Sequence, residues 1–440
     1  MVREKKKETL TPEERLQAAL VPDWEQPYKV PENWCWVYAP EIFNIEYGKG
    51  LSTKELCETG YPVFGANGQI GFYSEYMFEE VKALMSCRGA YSGTMNLSLP
   101  KSFITSNSLI INSKHKDIDV KFIFYLYSAL NKKDLISGSA QPQVTIQAFK
   151  NYPIPLSPLP EQQRIVERIE SLFAKLDEAK QKVQYALDSV DARKAAIRHK
   201  AFTGELTAKW RKEHDVRMES WTRCKLIDIL AEKPRNGYSP KPVDYITPYK
   251  SMTLSATTTG IFKPEFFKYI DQEIPEDSYL WLKPGDILIQ RANSLEKVGM
   301  SAIYTGKEHE FIYPDLMMKL VLKEINNKKY IDYYLKSDRV LNYFRSNATG
   351  TAGNMPKINQ KVVSETPLIL PKKLEQNEIV RILDDMFAKE QQVKEAAETV
   401  LEQINLIKKS ILSRAFRGEL GTNDQNEESA VALLKRIFEV

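Results

Sequence analysis

Glu161-Gln162-Gln163-Arg164-Ile165-Val166 returns later in the chain as Glu375-Gln376-Asn377-Glu378-Ile379-Val380, and the match runs on without a gap for about forty residues. Every partner is displaced by 214 positions. Phe173-Ala174-Lys175 becomes Phe387-Ala388-Lys389, and Ala201-Phe202-x-Gly204-Glu205-Leu206 becomes Ala415-Phe416-x-Gly418-Glu419-Leu420. A weaker repeat precedes it: Trp34 pairs with Trp221, and Gly50-x-Ser52-x-Lys54 with Gly237-x-Ser239-x-Lys241, all displaced by 187. The chain therefore reads as one unit used twice, each a variable region followed by a long helix. The helix repeats faithfully and the region before it does not, so the expected product is two different recognition surfaces on one scaffold.

Within the repeat, apolar residues alternate at steps of four and three. The first copy gives Ile165, Ile169, Leu172, Leu176, Ala179, Val183, Ala186, Val190 and Ile197; the second gives Ile379, Leu383, Met386, Val393, Ala397, Val400, Ile404, Ile407 and Ile411. That heptad seam predicts two coiled-coil helices of about 40 residues, or roughly 60 Å each. Pro160 and Pro371 stand at their starts, and Gly204 and Gly418 where C-caps belong. Two copies in one chain are most simply related by a pseudo-twofold axis, which makes the pair antiparallel. Arg193 and Glu390 interrupt the seams and would face each other in full overlap.

The variable regions read as mixed α/β. In the first, Asn67-Gly68 between apolar flanks predicts a hairpin; strand-like runs at 82–86 and 108–112 and a helix-like stretch at 119–133 follow. In the second, a Lys283-Pro284-Gly285-Asp286 turn leads into a strand ending at Gln290, and Tyr330–Phe344 reads as one helix. Thr11-Pro12-Glu13-Glu14 is a capping box opening a short helix, and 429–440 reads as an amphipathic one. Ala19-Leu20 to Trp24 echoes Glu205-Leu206 to Trp210, which predicts that the N-terminal segment packs near the end of the second long helix. The expected fold is α+β: two mixed α/β domains separated by two long helices in an antiparallel coiled coil, a pseudo-twofold internal repeat.

Composition is that of an ordinary globular protein: 440 residues, enough for two to four domains, 42% hydrophobic and 27% charged. No run of eighteen apolar residues predicts a membrane helix, and the charged start argues against a secretory signal, so a cytoplasmic location is expected. Cys35, Cys57, Cys87 and Cys224 are scattered and read as free thiols, and four scattered histidines suggest no metal centre. Net charge is only +4, yet basic residues cluster. Five (Lys82, Arg88, Lys101, Lys114, Lys116) lie at 81–116 with no acid among them, and six at 233–269 face only Asp244 and Glu265. That pattern fits two nucleic-acid-binding modules, with plain solvated lysine as the alternative.

A variable domain, a helix opening E-Q-x-x-I-V (preceded by L-x in the first copy and by Leu374 in the second) and closing A-F-x-G-E-L, then the same again, resembles the specificity (S) subunit of a type I restriction–modification enzyme over nearly the whole chain. The resemblance implies two target recognition domains, each reading half of a split double-stranded DNA sequence, with the helices setting the unread spacer. It also implies docking of two methyltransferase (modification) subunits, which methylate adenine, and of restriction (translocase/nuclease) subunits. Expected boundaries are an N-terminal segment (1–30), recognition domain 1 (31–158), central helix (159–204), linker (205–219), recognition domain 2 (220–371), distal helix (372–418) and tail (419–440). In the second helix Gln163 and Arg164 become Asn377 and Glu378, so partner docking at the helix starts need not be equal. No [DN]-P-P-[YF] methyltransferase element, phosphate loop or nuclease metal motif is present, so no catalytic residue, metal or cofactor is expected in the chain itself.

Candidate DNA contacts follow from residue type and placement. Gly50, Ser52 and Lys54, with Gly237, Ser239 and Lys241, offer a glycine turn, a hydroxyl and an ammonium suited to phosphate, a plain turn being the alternative. Arg88 with Ser92, and Arg291 with Asn293, lie on loops after strand-like runs where an arginine can reach a groove or form a surface salt bridge. Arg235 belongs to the second basic stretch. Gln141, Gln143, Asn354 and Lys357 on glycine-rich loops are possible base readers, whereas Trp34 and Trp221 read as core anchors. The competing function is a coiled-coil adaptor whose two end domains bind protein or glycan.

Overall fold

A computed structural model describes residues 11–138, 140–350 and 355–439. The chain divides into two compact units, residues 1–183 with 399–440 and residues 184–398. The candidate Asn354 and the basic start of the chain lie outside the described residues.

Each unit is built to the same plan. In unit 1 the strand Cys35–Tyr38 pairs antiparallel with Pro153–Leu156, Cys35 opposite Leu156; in unit 2 Thr222–Lys225 pairs with Pro367–Leu370, Thr222 opposite Leu370. This strap joins the two ends of each α/β region. Between them unit 1 forms a four-stranded antiparallel sheet in the order 43–47, 108–113, 83–86, 95–97, and unit 2 one in the order 235–236, 317–320, 287–290, 301–303. A three-stranded sheet accompanies each. The helix Val120–Ala129 buries Phe122, Ile123, Leu126 and Tyr127 in the core of unit 1, capped by Asp119. Tyr330–Phe344 is two helices, Lys328–Leu335 and Asp338–Asn347, because the chain leaves helical geometry at Ser337 (φ −72°, ψ 148°). The expected hairpin forms with Ala66 and Asn67 as its loop, and Gly68 opens the next strand at φ +85°.

The long helices pair antiparallel, and ion pairs mark the register. In unit 1 the Lys408 ammonium lies 2.6 Å from the Asp177 carboxylate and over the Phe173 ring. In unit 2 Arg193 forks onto Glu390, with Nε 3.0 Å from both carboxylate oxygens and Nη2 2.8 Å from Oε2. The sequence expectation for these two residues holds. Their helices differ from it in two respects. The second is unbroken over Lys373–Ala415, but the first stops at Asp188 and resumes at Val190. There the Ala186 carbonyl accepts from the Ser189 hydroxyl at 2.9 Å and from Arg193 Nη1 at 3.3 Å, side-chain donors that compete with the helical ladder. In the second helix Val393, Val400 and Ile407 are exposed; the covered row runs through Glu390, Ala397, Leu401, Ile404, Lys408 and Ile411. Charged residues occupy that row because each meets its counter-ion across the pair, which hides the row from a reading by hydrophobicity.

Arg193 holds the Glu390 carboxyl below its ordinary value of 4.5, chiefly through the guanidinium hydrogen bond. A carboxyl whose pKa is lower folded than unfolded contributes stability above the unfolded value and loses it as pH falls through the folded one. Thermal melts should therefore show an acid-induced loss beginning below about pH 4.5 that is smaller in Glu390→Gln. An identical pH profile in the variant would refute this.

The capping box at Thr11 is present, and the helix Pro12–Ala19 packs in unit 1 with the C-terminal helix Ala430–Glu439, Arg15 lying over the Phe438 ring. Tyr28 donates to the Phe416 carbonyl and Asn33 Nδ2 to that of Asp424, so the N-terminal segment does meet the end of the second long helix.

Candidate nucleic-acid interface

Each recognition region is locked to its helices by a buried carboxylate. Trp34 Nε1 donates to Glu161 Oε2 at 2.6 Å, joined by Thr422 at 3.1 Å and Asn423 at 2.8 Å. Trp221 Nε1 donates to Glu375 Oε2 at 2.9 Å, joined by Thr207 at 2.8 Å and Arg211 at 2.7 Å. The tryptophans are thus core anchors, and the glutamate at each helix start is an internal acceptor, a role that the repeat flagged but helix patterning alone did not reveal. Beside it, Gln162 and Gln376 donate to the carbonyls of Ser157 and Pro371, both at 2.9 Å.

On this frame the end of the central strand of each sheet meets a second loop. In unit 1, Val144 N donates to the Cys87 carbonyl at 3.0 Å and Gly89 N to that of Pro142 at 2.9 Å, so Arg88 stands opposite Gln143. In unit 2, Ile358 N donates to the Arg291 carbonyl at 2.8 Å and Asn293 N to that of Pro356 at 3.3 Å, so Ala292 stands opposite Lys357. Pro142-Gln143-Val144 and Pro356-Lys357-Ile358 are displaced by 214, so the helical repeat reaches back into the recognition regions, a signal present in the sequence. Structurally Arg291 corresponds to Cys87 rather than to Arg88.

The candidate contacts separate accordingly. Arg88, Gln141, Gln143 and Lys357 are exposed, and their side chains make no hydrogen bond or ion pair among the described residues. Arg88 and Gln143 are brought together, with Tyr91, half exposed, on the adjoining turn. Lys357 borders a groove of about 590 Å³ lined also by Leu316, Thr349, Gly350 and Met355. Other candidates are engaged internally. Ser92 donates to the Pro142 carbonyl at 2.6 Å and braces the Arg88 loop. Asn293 Nδ2 donates to Gln290 Oε1 at 2.6 Å, and buried Gln290 in turn reaches the Leu254 carbonyl and the Thr257 and Thr258 hydroxyls. Arg291 Nη1 donates to the Asp315 carbonyl at 3.2 Å, and Ser239 donates to the Asp315 carboxylate. Arg235 pairs with Glu232 at 3.0 Å and lies over the Tyr279 ring.

The glycine pairing needs correction. Gly237 N donates to the Met317 carbonyl and Tyr238 N to that of Tyr313; their counterparts are Gly48 N to Ser108 and Lys49 N to Ile104. A Cβ on Gly48 would collide with the Ile104 carbonyl, and one on Gly237 with that of Tyr313, so both positions require glycine for close backbone approach. Gly237 therefore matches Gly48, and Gly50 has open space around it. Ser52 caps the turn Thr53–Glu55 and presents Lys54 to solvent, as Lys241 is presented in unit 2. The basic stretches are also less free than their counts imply. Lys82 lies 3.5 Å from Glu80 and Lys101 3.9 Å from Glu79, acids just before the first stretch.

Among the described residues no His, Cys, Asp or Glu group is placed to hold a metal, and no helix is long and apolar enough to cross a membrane. The chain is similar to the EcoKI specificity subunit of Escherichia coli strain K12, 28% identical over 316 residues, 69% of this chain and 67% of that protein. It is 23% identical to the Escherichia coli EcoDI specificity subunit over 454 residues, 93% of this chain and 95% of that protein. In fold it is similar to a chain solved in work on assembly and conformational transition of the type I R-M system (TM-score 0.65, 18% identity, 89% of this chain and 100% of that one). It also matches the HsdS subunit from Thermoanaerobacter tengcongensis (TM-score 0.55, 18% identity, 90% and 99%). Residues 31–185 and 218–403, one stretch for each copy of the repeat, match the type I restriction modification DNA specificity domain, and the chain belongs to that family.

Proposed function

We propose that the chain is the sequence-reading subunit of a type I restriction–modification complex. Recognition domains over 31–158 and 220–371 each read one half of a bipartite double-stranded DNA target, and the helix pair sets the spacer. Two modification subunits dock on the scaffold and methylate adenine where it directs them, and restriction subunits join them. The observation that carries this reading is the duplicated closure of an α/β region onto a long helix through Trp34–Glu161 and Trp221–Glu375. That closure gives two recognition surfaces one kind of mount. In unit 1 the exposed Val400 and Ile407, one heptad apart on the second helix, support helix-on-helix docking of a partner. Arg88, Gln141, Gln143 and Lys357 supply the groove-facing donors, Gly50, Ser52, Lys54, Lys241 and Arg235 the backbone side, and Ser92, Ser239, Asn293 and Arg291 brace the loops, with Gly237 allowing the close backbone approach beside them. A salt titration of DNA binding tests this. With several phosphate contacts, affinity should fall by about 10³-fold or more between roughly 50 and 200 mM salt. Salt-insensitive binding, or no preference for DNA, would instead support the adaptor.

A further inference from the structure

The recognition ribbons of the two units correspond position by position, and one row of that correspondence is chemically unequal. In unit 1 Arg88 stands opposite Gln143, and Gln143 opposite Ser137, whose hydroxyl donates to the Gln143 carbonyl at 3.4 Å. In unit 2 Ala292 stands opposite Lys357, and Lys357 opposite Thr349, whose hydroxyl donates to the Lys357 carbonyl at 3.4 Å. Residues opposed across antiparallel segments project to the same side, so each row is a contiguous line of three side chains. All are exposed except Ala292, which is buried. Arg291 precedes Ala292 by one position, so its side chain starts toward the opposite face, where Nη1 meets the Asp315 carbonyl.

We infer that the exposed residues of this row, Arg88–Gln143–Ser137 in unit 1 and Lys357–Thr349 in unit 2, are the base-reading edge of each recognition domain, and that the inequality of the row, with buried Ala292 where unit 1 has Arg88, makes the half-sites differ. The inference rests on the DNA-reading function proposed above. A β-ribbon fits the major groove, where a guanidinium fork matches guanine O6 and N7 and a carboxamide matches adenine N7 and N6. Opposed residues in an antiparallel pair are about 4.5–5.5 Å apart, against a rise of roughly 3.4 Å per base pair. Arg88 and Gln143 can therefore reach neighbouring pairs. The half-site of unit 1 then contains a guanine read by Arg88 beside an adenine read by Gln143. In unit 2 the methyl of Ala292 removes the first contact, and the Lys357 ammonium reads a guanine at the second.

The test is selection of bound duplexes from a library with randomised half-sites, using the full chain assembled with its modification subunits. Arg88→Ala should relax one guanine position by about ten- to a hundredfold and leave the other half-site unchanged. Arg88→Lys should keep overall affinity and lose part of that preference, because it retains the charge without the fork. Gln143→Ala should relax the neighbouring adenine, and the double exchange Arg88→Ala with Gln143→Lys should impose the preference of unit 2 at those two positions. Weakening by Arg88→Ala that is equal over all sequences, or preferences unchanged in every variant, would overturn the inference while leaving the DNA-reading function intact. An unaltered protein that selects no sequence at all would overturn that function as well.

Discussion

Glu375→Ala is expected to destabilise unit 2 by about 3–5 kcal/mol, the usual cost of stranding one charge of a buried pair. Glu375 is 1% exposed and Arg211, 2.7 Å away, 11% exposed. The substitution leaves the Arg211 guanidinium, the Trp221 indole N–H and the Thr207 hydroxyl short of an acceptor in a largely buried site. Arg211 keeps only the Gly204 carbonyl and the Thr207 hydroxyl. Glu161→Ala is the matched comparison. Its direct donors, Trp34, Thr422 and Asn423, are all neutral, and each left unsatisfied costs about 1–3 kcal/mol without a stranded charge. Glu375→Gln, which keeps the shape and removes the charge, should fall between wild type and Glu375→Ala. Denaturant unfolding followed by tryptophan fluorescence and hydrogen exchange reads each unit separately. A loss below about 1 kcal/mol for Glu375→Ala would show that the pair barely outweighs its own desolvation, as buried pairs can.

Removing one heptad from each long helix, Ala179–Tyr185 and Val393–Thr399, is expected to shift the preferred DNA spacer by about three base pairs. Seven residues at about 1.5 Å of rise shorten a helix by roughly 10 Å, and about 3.4 Å separates successive base pairs. The two segments lie between the register pairs. Asp177 with Lys408 is on one side of both deletions and Arg193 with Glu390 on the other, so the deletions leave both pairs in place. A whole heptad keeps the covered row in phase. The half-site preferences should survive, with some loss of affinity because the two domains then meet the duplex at an altered helical phase. Binding selection over a ladder of spacer lengths measures this directly. An unchanged optimum in a folded variant would assign the spacing to the recognition domains themselves.

The repeat displaced by 214 residues led, from sequence, to the expectation of two long helices, their antiparallel pairing and the facing of Arg193 with Glu390, and the last is present as a forked ion pair. Periodicity and duplication act along one dimension, so the presence and length of a helix are readable from them even where its covered face is not. The capping box at Thr11 and the Asn67-Gly68 hairpin were legible for a related reason: both are closed by hydrogen bonds and backbone angles a few residues apart. The break at Ser189 was not legible, because it depends on where the Arg193 guanidinium goes when it also serves Glu390. Nor was the covered row of the second helix, where Glu390 and Lys408 count as polar until their partners on the other helix are known.

The candidate interface divides along the same line. Residue type alone singled out Arg88, Gln143 and Lys357, and their exposed, unengaged side chains are compatible with contact to DNA. It also singled out Asn293 and Ser239, whose polar atoms are consumed by Gln290 and Asp315, residues brought near by the fold. Pairing Arg88 with Arg291 looked natural in sequence, but cross-strand register, a long-range property, places Arg291 with Cys87 and Ala292 with Arg88. By itself the sequence determined that the molecule has two copies of one mount, because repetition survives in a linear string. Only the tertiary structure decided which side chains those mounts present, because a one-residue change of register on a strand turns a side chain to the opposite face.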